Sequence, residues 1–232
     1  MATAISQFRD RVLQYVPGCP IPAIDRAVVE SMRRLCEDTH CFEKTIEAIH
    51  SVDVDWPFAM PFSFEQASTG GFYLITIDFT GYTALTGYHP IMPVYFQING
   101  VDWTLGRYDV DHLVSNLDDV VPTGMKYFKF NDVTEMEIFP FQDGEDVSTT
   151  IITSLAMKPA DTSTSVDDVF FNEYLDAIVF KTASYLQMIP KRPWSDYDQA
   201  QINMNRYGEE RSKINFQRRV NSSRPKVFKG YI

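Results

Sequence analysis

Apolar residues recur every three or four positions in four segments of the chain, and this spacing predicts four helices. The first helix is short and runs from Ile5 to about Tyr15, where the Pro17–Pro20 segment ends it. The second begins near Pro22, because proline loses little in the first turn of a helix, and it reaches about Phe42. Both are amphipathic, so each is expected to pack on other elements.

The third and fourth predicted helices follow one another near the C-terminus, at about 167–190 and 196–220. The third carries a wide apolar band, which predicts burial on more than one side. The fourth opens with a capping box in which Ser195 and Asp198 satisfy the first N–H groups. Its apolar stripe is thin, so we expect one packed face and free sides for water or a neighbouring subunit. That stripe consists of Tyr197, Ala200, Met204, Tyr207, Gly208 and Ile214.

Between these two pairs of helices the pattern changes to short runs of β-branched and aromatic residues, which favour strands. The dipeptide Asn99-Gly100 separates two such runs and is typical of a two-residue hairpin. Six or seven strands with turn residues between them predict an antiparallel sandwich or barrel. The runs are 72–79, 94–98, 101–105, 126–130, 134–139 and 149–157.

The predicted fold class is therefore α+β, with a bundle of about four helices interrupted by an antiparallel β-sandwich or barrel-like insertion. Residues 1–55 and 159–220 form the helical bundle, because neither pair of helices alone would make a good core. Residues 56–158 form the β-rich insertion. Residues 221–232 have no periodicity and no acid, and they are expected to form an extended C-terminal arm.

Charge is divided unevenly along the 232 residues. Residues 1–180 hold 10 Lys/Arg and 27 Asp/Glu, a net charge of −17, whereas residues 181–232 hold 11 and 4, a net charge of +7. An acidic body disfavours binding to duplex DNA through its phosphates and would repel a nucleic acid that passes close by. Any acidic cytosolic protein has the same property, so this observation is compatible with a DNA conduit without requiring one.

The sequence offers no motif for catalysis or for a cofactor. There is no nucleophile elbow, phosphate loop or dinucleotide fingerprint. Cys36, His40 and Cys41 approach metal-ligand spacing, but a closed site needs a fourth ligand, for which Cys19 is the candidate, and reduced structural thiols are the expectation. No apolar run is long enough to cross a membrane, and the N-terminus lacks the pattern of a secretory signal. The sequence therefore predicts a non-enzymatic cytosolic product without cofactor, metal or membrane.

Two other classes of function have a sequence feature in their favour. The pairs Asp53/Asp55 and Asp109/Asp111 resemble the paired carboxylates of metal-dependent hydrolases, although loop acids are the simpler interpretation. Trp56 and Trp103, in an insertion rich in Tyr and Phe, are compatible with stacking on sugars. A ligand-binding or host-glycan-binding module on the insertion is therefore the alternative function.

Three ordered segments resemble the head-to-tail adaptor (connector) proteins of tailed bacteriophages. They are Val16–Pro20 followed by the helix to Thr39, then Leu155–Asp161, and finally Phe171–Leu186 with its closing segment Pro190–Asp196. The resemblance spans most of residues 10–215, and it departs from the family in an insertion that is longer and more aromatic. It implies a structural virion protein with a helical bundle and a β insertion.

In that family the subunits assemble as a ring, most often of twelve copies, beneath the portal and above the tail. The resemblance therefore implies three protein partners, namely the portal protein, a tail nozzle or tube protein, and further copies of this chain. Genomic DNA would pass through the ring without sequence-specific binding. The protein would be made in the host cytoplasm and end in the neck of the virion.

A closed ring repeats one head-to-tail contact, so each subunit needs two complementary patches. Arg206, Arg211 and Lys213, opposite Glu30 and Glu37, are the candidates for this ring interface. The alternative is a solvated charged face with local ion pairs. A second set of residues combines basic and bulky side chains, as expected of a segment that becomes ordered on a partner. It is the candidate for portal binding. The alternative is a disordered segment that binds nothing. That set is Arg218, Arg219, Arg224, Lys226, Phe228, Tyr231 and Ile232.

Overall fold

The structure is a computed structural model that describes residues 2–51, 62–66, 72–78, 86–98, 101–102, 104–107, 125–130, 135–142 and 148–222. The fold is α+β, since it combines helices with sheets whose strands pair mainly antiparallel. The chain divides into two compact units: Met1–Phe42 with Lys158–Ile232, and Glu43–Met157. The second unit thus begins at Glu43, inside the segment 1–55 that the sequence assigned to the helices.

The first unit contains the helices and one small sheet. In that sheet β1 (Ala2–Ala4) pairs antiparallel with β11 (Ser165–Asp167), and Thr3 lies opposite Val166. The sequence pattern did not predict this pairing. The helices are a 3-10 turn (Ile5–Phe8), α1 (Arg9–Leu13), α2 (Ile21–Thr39), α3 (Val169–Asn172), α4 (Leu175–Gln187) and α5 (Tyr197–Ser222).

Helix α2 follows its predicted pattern closely. Pro22 stands in its first turn, and its buried side includes Ile24, Val28 and Leu35. The helix ends at His40, whose φ of 50° is left-handed, and the His40 N–H donates to the Cys36 carbonyl at 2.7 Å. This is the usual way to satisfy a last-turn carbonyl, although glycine more often occupies the position.

The third predicted helix is interrupted and appears as α3 and α4. Between them Glu173 has φ −113° and Tyr174 has φ −116° with ψ 9°, which leaves the helical conformation. Tyr174 instead packs on the buried Phe170 ring, and its hydroxyl donates to the Cys41 carbonyl at 3.2 Å. Packing of these aromatic side chains therefore replaces a turn of helix.

Helix α4 occupies the centre of the first unit, because it packs against both α2 and α5. The Gln187 amide near its end donates to the Tyr15 carbonyl at 3.0 Å and accepts from the buried Asn203 amide at 2.9 Å. One side chain thus ties α4 to the segment after α1 and to α5. The buried α4 residues are Ala177, Ile178, Val179, Thr182, Ala183, Ser184, Leu186 and Gln187.

The second unit contains two sheets, with strand orders β2-β10-β5-β6 and β3-β4-β9-β8-β7. Antiparallel pairing of Ile98 with Val101 brackets the two residues of the predicted hairpin, which themselves lie outside the described residues. The described strand pairs are mainly antiparallel, as predicted, but β7 and β8 run parallel. The strands are β2 (Glu43–Ser51), β3 (Phe62–Gln66), β4 (Phe72–Asp78), β5 (Tyr88–Ile98), β6 (Val101–Asp102), β7 (Thr104–Arg107), β8 (Met125–Phe130), β9 (Glu135–Gln142) and β10 (Ser148–Pro159).

Strand β2 pairs with β10 along the whole length of β2, from Glu43 opposite Ala156 to Ser51 opposite Ser148. Beside this ladder the buried Thr153 hydroxyl donates to the Tyr95 carbonyl of β5 at 3.1 Å. Phe96 on the same strand is almost fully buried. These contacts place β10 in the interior of the four-stranded sheet, which explains why its sequence is largely apolar and β-branched.

Candidate interaction surface

Helix α5 is the longest helix of the described chain, and only one of its faces is buried. Its first turn is capped by Asp196, whose carboxylate accepts from the Gln199 N–H at 3.0 Å. The prediction of Ser195 as the capping residue was wrong. The Ser195 hydroxyl instead donates to the Ile189 carbonyl in the preceding turn. The buried face consists of Ala200, Asn203, Tyr207 and Ile214, at spacings of three, four and seven.

The opposite side of α5 carries two exposed large apolar side chains. Ile202 is 41% exposed and Phe216 is 69% exposed, the highest value among the described large apolar residues. Residues seven apart lie on one face of a helix, so Ile202, Glu209 and Phe216 form a line that we call the outer face of α5. Ile202 and Phe216 are both large apolar side chains, so covering them with a partner would remove apolar surface from water.

The three basic residues predicted for a ring interface all have contacts within the chain. The Arg206 guanidinium lies 5.5 Å from the centre of the Phe180 ring. Arg211 is 3.3 Å from the Asp38 carboxylate, and Lys213 is 2.6 Å from Glu210 one turn away. These are long or exposed contacts that cost little free energy to break. The three bases therefore remain candidates for forming contacts with a partner in place of their contacts within the chain.

The predicted acidic partners lie on α2 and pair mainly with their own helix. Glu30 and Glu37 each lie 3.0 Å from Arg34. Glu37 also accepts from the Lys158 ammonium at 2.6 Å, and this contact links α2 to the end of β10. Burial opposes ionisation of Glu37, but the lysine and the arginines outweigh it and lower the pKa of the carboxyl.

A buried tyrosine anchors α5 to α2. The Tyr207 hydroxyl donates to the Asp38 carboxylate at 2.9 Å, on the same oxygen that faces Arg211. The Lys181 ammonium lies 4.9 Å from the centre of the Tyr207 ring. Burial raises the pKa of Tyr207, and the hydrogen bond to Asp38 raises it further, so the phenol stays protonated and remains a donor. Sequence analysis gave Tyr207 only a packing role and did not identify this contact.

Of the residues predicted to bind the portal, only Arg218 has a described side chain. It is partly buried, and its charge contributes to a lower pKa of the Cys41 thiol. Arg219 belongs to α5, but its side chain lies outside the described residues. Arg224, Lys226, Phe228, Tyr231 and Ile232 also lie outside them, as do Trp56, Trp103 and the pairs Asp53/Asp55 and Asp109/Asp111.

A cleft of about 520 Å³ opens in the first unit between the N-terminal turn, the start of α2 and residues 161–164. Sequence analysis did not predict it. Its wall is partly closed by Arg9, which grips Asp25 through two contacts of 2.7 Å. Arg33 fixes the other side, at 2.6 Å from Asp161. These four charged side chains at the cleft are therefore already paired, Arg9 with Asp25 and Arg33 with Asp161.

Within the described ranges, no group of three or more His, Cys, Asp or Glu side chains is arranged to hold a metal ion. The helices in those ranges also include none with the length and apolar character needed to cross a membrane. No protein-family model matches the chain, and comparison with curated proteins finds no match. The functional interpretation therefore depends on the residues of this chain and on the surfaces described above.

Proposed function

We propose that this protein is a head-to-tail adaptor of a tailed bacteriophage, a structural protein of the virion neck. In this proposal the helices of the first unit form one bundle, the second unit is its β insertion, and the subunits assemble as a ring, most often of twelve copies. The three ordered sequence motifs support the family, and the separation of helices and sheets into two units is compatible with it.

The observation that carries the proposal is the outer face of α5. A helix of 26 residues that packs through one stripe leaves most of its surface for contacts with other molecules. Ile202 and Phe216 are exposed on that surface, and solitary large apolar residues in such a line gain free energy when a second protein covers them. In the proposed ring the outer face of α5 contacts the next copy, while the basic C-terminal residues contact the portal.

The division of charge supports the same arrangement. The net charge of −17 over residues 1–180 suits the wall of a channel through which DNA slides without sticking. The net charge of +7 over residues 181–232 suits attachment to another protein through exposed bases, since charge complementarity guides such association. Tail components would attach on the opposite side of the ring from the portal.

The proposal is tested by mixing the purified chain with the portal protein of the same virus and measuring particle mass and ring symmetry by electron microscopy. We expect a stoichiometric complex of portal and adaptor rings. The double substitution of Ile202 and Phe216 by Ser should abolish ring formation while leaving the monomer folded. Tyr197→Ser is the matched control, because Tyr197 is 61% exposed but lies about 120° away around the same helix.

Failure of the wild-type chain to join the portal would contradict the adaptor function. An intact ring from the double variant would contradict the role of the outer face of α5 while leaving the adaptor function in place. Specific binding of glycans by the isolated chain, without portal binding, would favour the alternative of a host-recognition module on the β insertion.

A further inference from the structure

The cleft of the first unit has both an apolar and a polar lining. Its volume of about 520 Å³ lies within the range of about 300–1,000 Å³ that is usual for small-molecule sites. The apolar lining consists of Ile5, Pro22 and Val29, whereas most of the remaining lining residues carry hydroxyl groups or charges. A site of this composition suits a small ligand with one apolar part and one strongly polar part.

Hydrogen bonds hold the three segments around the cleft to one another. The Ile5 N–H donates to the Thr164 carbonyl at 3.0 Å, which joins the N-terminal turn to residues 161–164. The Arg33 guanidinium of α2 donates to the Pro159 carbonyl at 2.7 Å, which joins α2 to the chain just before those residues. The walls of the cleft are therefore already positioned, so a ligand would order little of the protein when it binds.

The two aspartates that line the cleft are already neutralised. Asp25 accepts two contacts of 2.7 Å from Arg9, one on each carboxylate oxygen. Asp161 lies 2.6 Å from Arg33. An anion that enters the cleft therefore meets paired carboxylates, whose repulsion is offset by the arginine that each one contacts.

Arg26 is a cation of the cleft that is left without an acid. It lines the cleft from α2 and is exposed. Glu30, one turn along the helix, is placed to pair with it, but that carboxylate lies 3.0 Å from Arg34 and 3.9 Å from Arg33. In the described part of the chain Arg26 makes no ion pair or hydrogen bond. Its guanidinium is a planar fork of N–H donors that fits the oxygens of a phosphate.

Three hydroxyl groups add uncharged donors to the same cleft. Ser6, Thr162 and Thr164 line it, and their hydroxyls form no hydrogen bond with other described residues. A phosphate monoester has three strong acceptor oxygens outside the ester link, whereas a carboxylate has two. One guanidinium and three hydroxyls can therefore serve a phosphate more fully than a carboxylate.

We propose that this cleft binds a small phosphate monoester. Arg26 is the ionic partner of the phosphate, and the hydroxyls of Ser6, Thr162 and Thr164 donate to its oxygens. The apolar lining of the cleft covers the organic part of the ligand. The site belongs to a single chain, so the inference does not depend on the adaptor function.

The test titrates the full-length chain with phenyl phosphate, a phosphate monoester with an apolar ring, and follows backbone amide shifts by NMR. We expect saturable shifts confined to the three segments of the cleft, at 5–9, 22–29 and 161–164. Inorganic phosphate should bind about tenfold more weakly, because it buries no apolar surface. Benzoate has the same ring on a carboxylate and should bind at least about fivefold more weakly, because it accepts fewer hydrogen bonds.

Two variants test the polar contacts. Arg26→Gln removes the charge and the fork and should weaken binding of phenyl phosphate at least about tenfold. Arg192→Gln is the matched control, because Arg192 is an exposed arginine of the same unit that does not line the cleft, and it should bind as the wild type does. Thr162→Val removes one hydroxyl with little change of shape and should weaken binding about fivefold. All three positions are exposed, and circular dichroism checks that each variant is folded.

The wild-type titration can contradict the proposal without any variant. Shifts that do not saturate at millimolar phenyl phosphate, or that centre outside the cleft, would overturn it. So would equal affinities of Arg26→Gln and the wild type. Benzoate that binds as tightly as phenyl phosphate would contradict the preference for phosphate, and equally tight inorganic phosphate would contradict recognition of a monoester. None of these measurements involves the portal protein, so failure of this site and failure of the adaptor proposal are distinguishable.

Discussion

Helices α4 and α5 lie side by side in the first unit but are held in opposite ways. Helix α4 has 13 residues, of which eight are buried, so it touches neighbours on several sides. Helix α5 has 26 residues, yet only four of its described side chains are buried. Length along the chain is therefore a poor guide to the contribution of a helix to stability.

The difference follows from the chemistry of the two segments. Helix α4 gains free energy from apolar burial on several sides, and the hydrophobic effect is strong and has no preferred geometry. Helix α5 is polar and is fixed at a few points by directed contacts, namely Asn203 to Gln187 and Tyr207 to Asp38. Such contacts set the position of a helix more than its stability, because each exchanges hydrogen bonds with water for hydrogen bonds with protein. We infer that α4 stabilises the unit and that α5 presents a surface.

The first prediction tests whether α4 contributes more to stability than α5. Ile178 of α4 is fully buried, so Ile178→Ala should lower the free energy of unfolding by about 3 kcal/mol through lost burial and the cavity left behind. Ile202→Ala on α5 is the matched control and should change it by less than about 0.5 kcal/mol. Denaturant titration of both variants measures the difference. Equal losses would mean that α5 is as much a part of the core as α4.

The sequence predicted the burial of these helices well where apolar residues decide it. The wide band of the third predicted helix is confirmed by the burial of α4 on several sides, and Ala200, Tyr207 and Ile214 of the thin stripe are buried. The prediction that Tyr197 belongs to the packed stripe was wrong, since its side chain is 61% exposed. The sequence also missed Asn203, because an asparagine indicates a surface position unless its partner is known. That partner, Gln187, is brought close only by the turn between α4 and α5.

The positions of the strands were predicted more reliably than the pairing of each strand with its neighbours in the sheet. The alternating and aromatic runs located β4, β5, β8, β9 and β10, because those patterns are local. Which strand lies beside which is not local, so the parallel pairing of β7 with β8 was not predictable. The candidate site has the same limitation. Arg211 was identified as a surface base, but its partner Asp38 is distant in sequence and is brought near by the packing of α5 on α2.

The second prediction sharpens the comparison by removing one directed contact of α5. Tyr207→Phe deletes the hydroxyl that donates to Asp38 and should cost about 1.5 kcal/mol, since the acceptor is charged. Tyr185→Phe on α4 is the matched control, because Tyr185 is 55% exposed, and its effect should be close to zero. Both are measured by denaturant titration. A loss as large as that of Ile178→Ala would show that the contact contributes core-like stability.

The third and smallest effect concerns the charged link between α2 and β10. Glu37→Gln removes the carboxylate that accepts from Lys158 and should cost about 1 kcal/mol near neutral pH, because the pair is partly exposed. Glu30→Gln is the matched control and should cost less, about 0.3 kcal/mol, since its pairs lie along one helix surface. Denaturant titration over a range of pH measures both.

The pH dependence of that difference is fixed by the direction of the shift. The pKa of Glu37 in the folded protein lies below its ordinary value of 4.5, so the stability it contributes is complete above 4.5. That contribution is lost as the pH falls through the lower folded pKa, where the carboxyl becomes protonated and resembles the glutamine. The gap between wild type and Glu37→Gln should therefore stay constant from neutral pH down to about 4.5 and close below it. A gap that persists in acid would mean that packing of the side chain, and not its charge, makes the link.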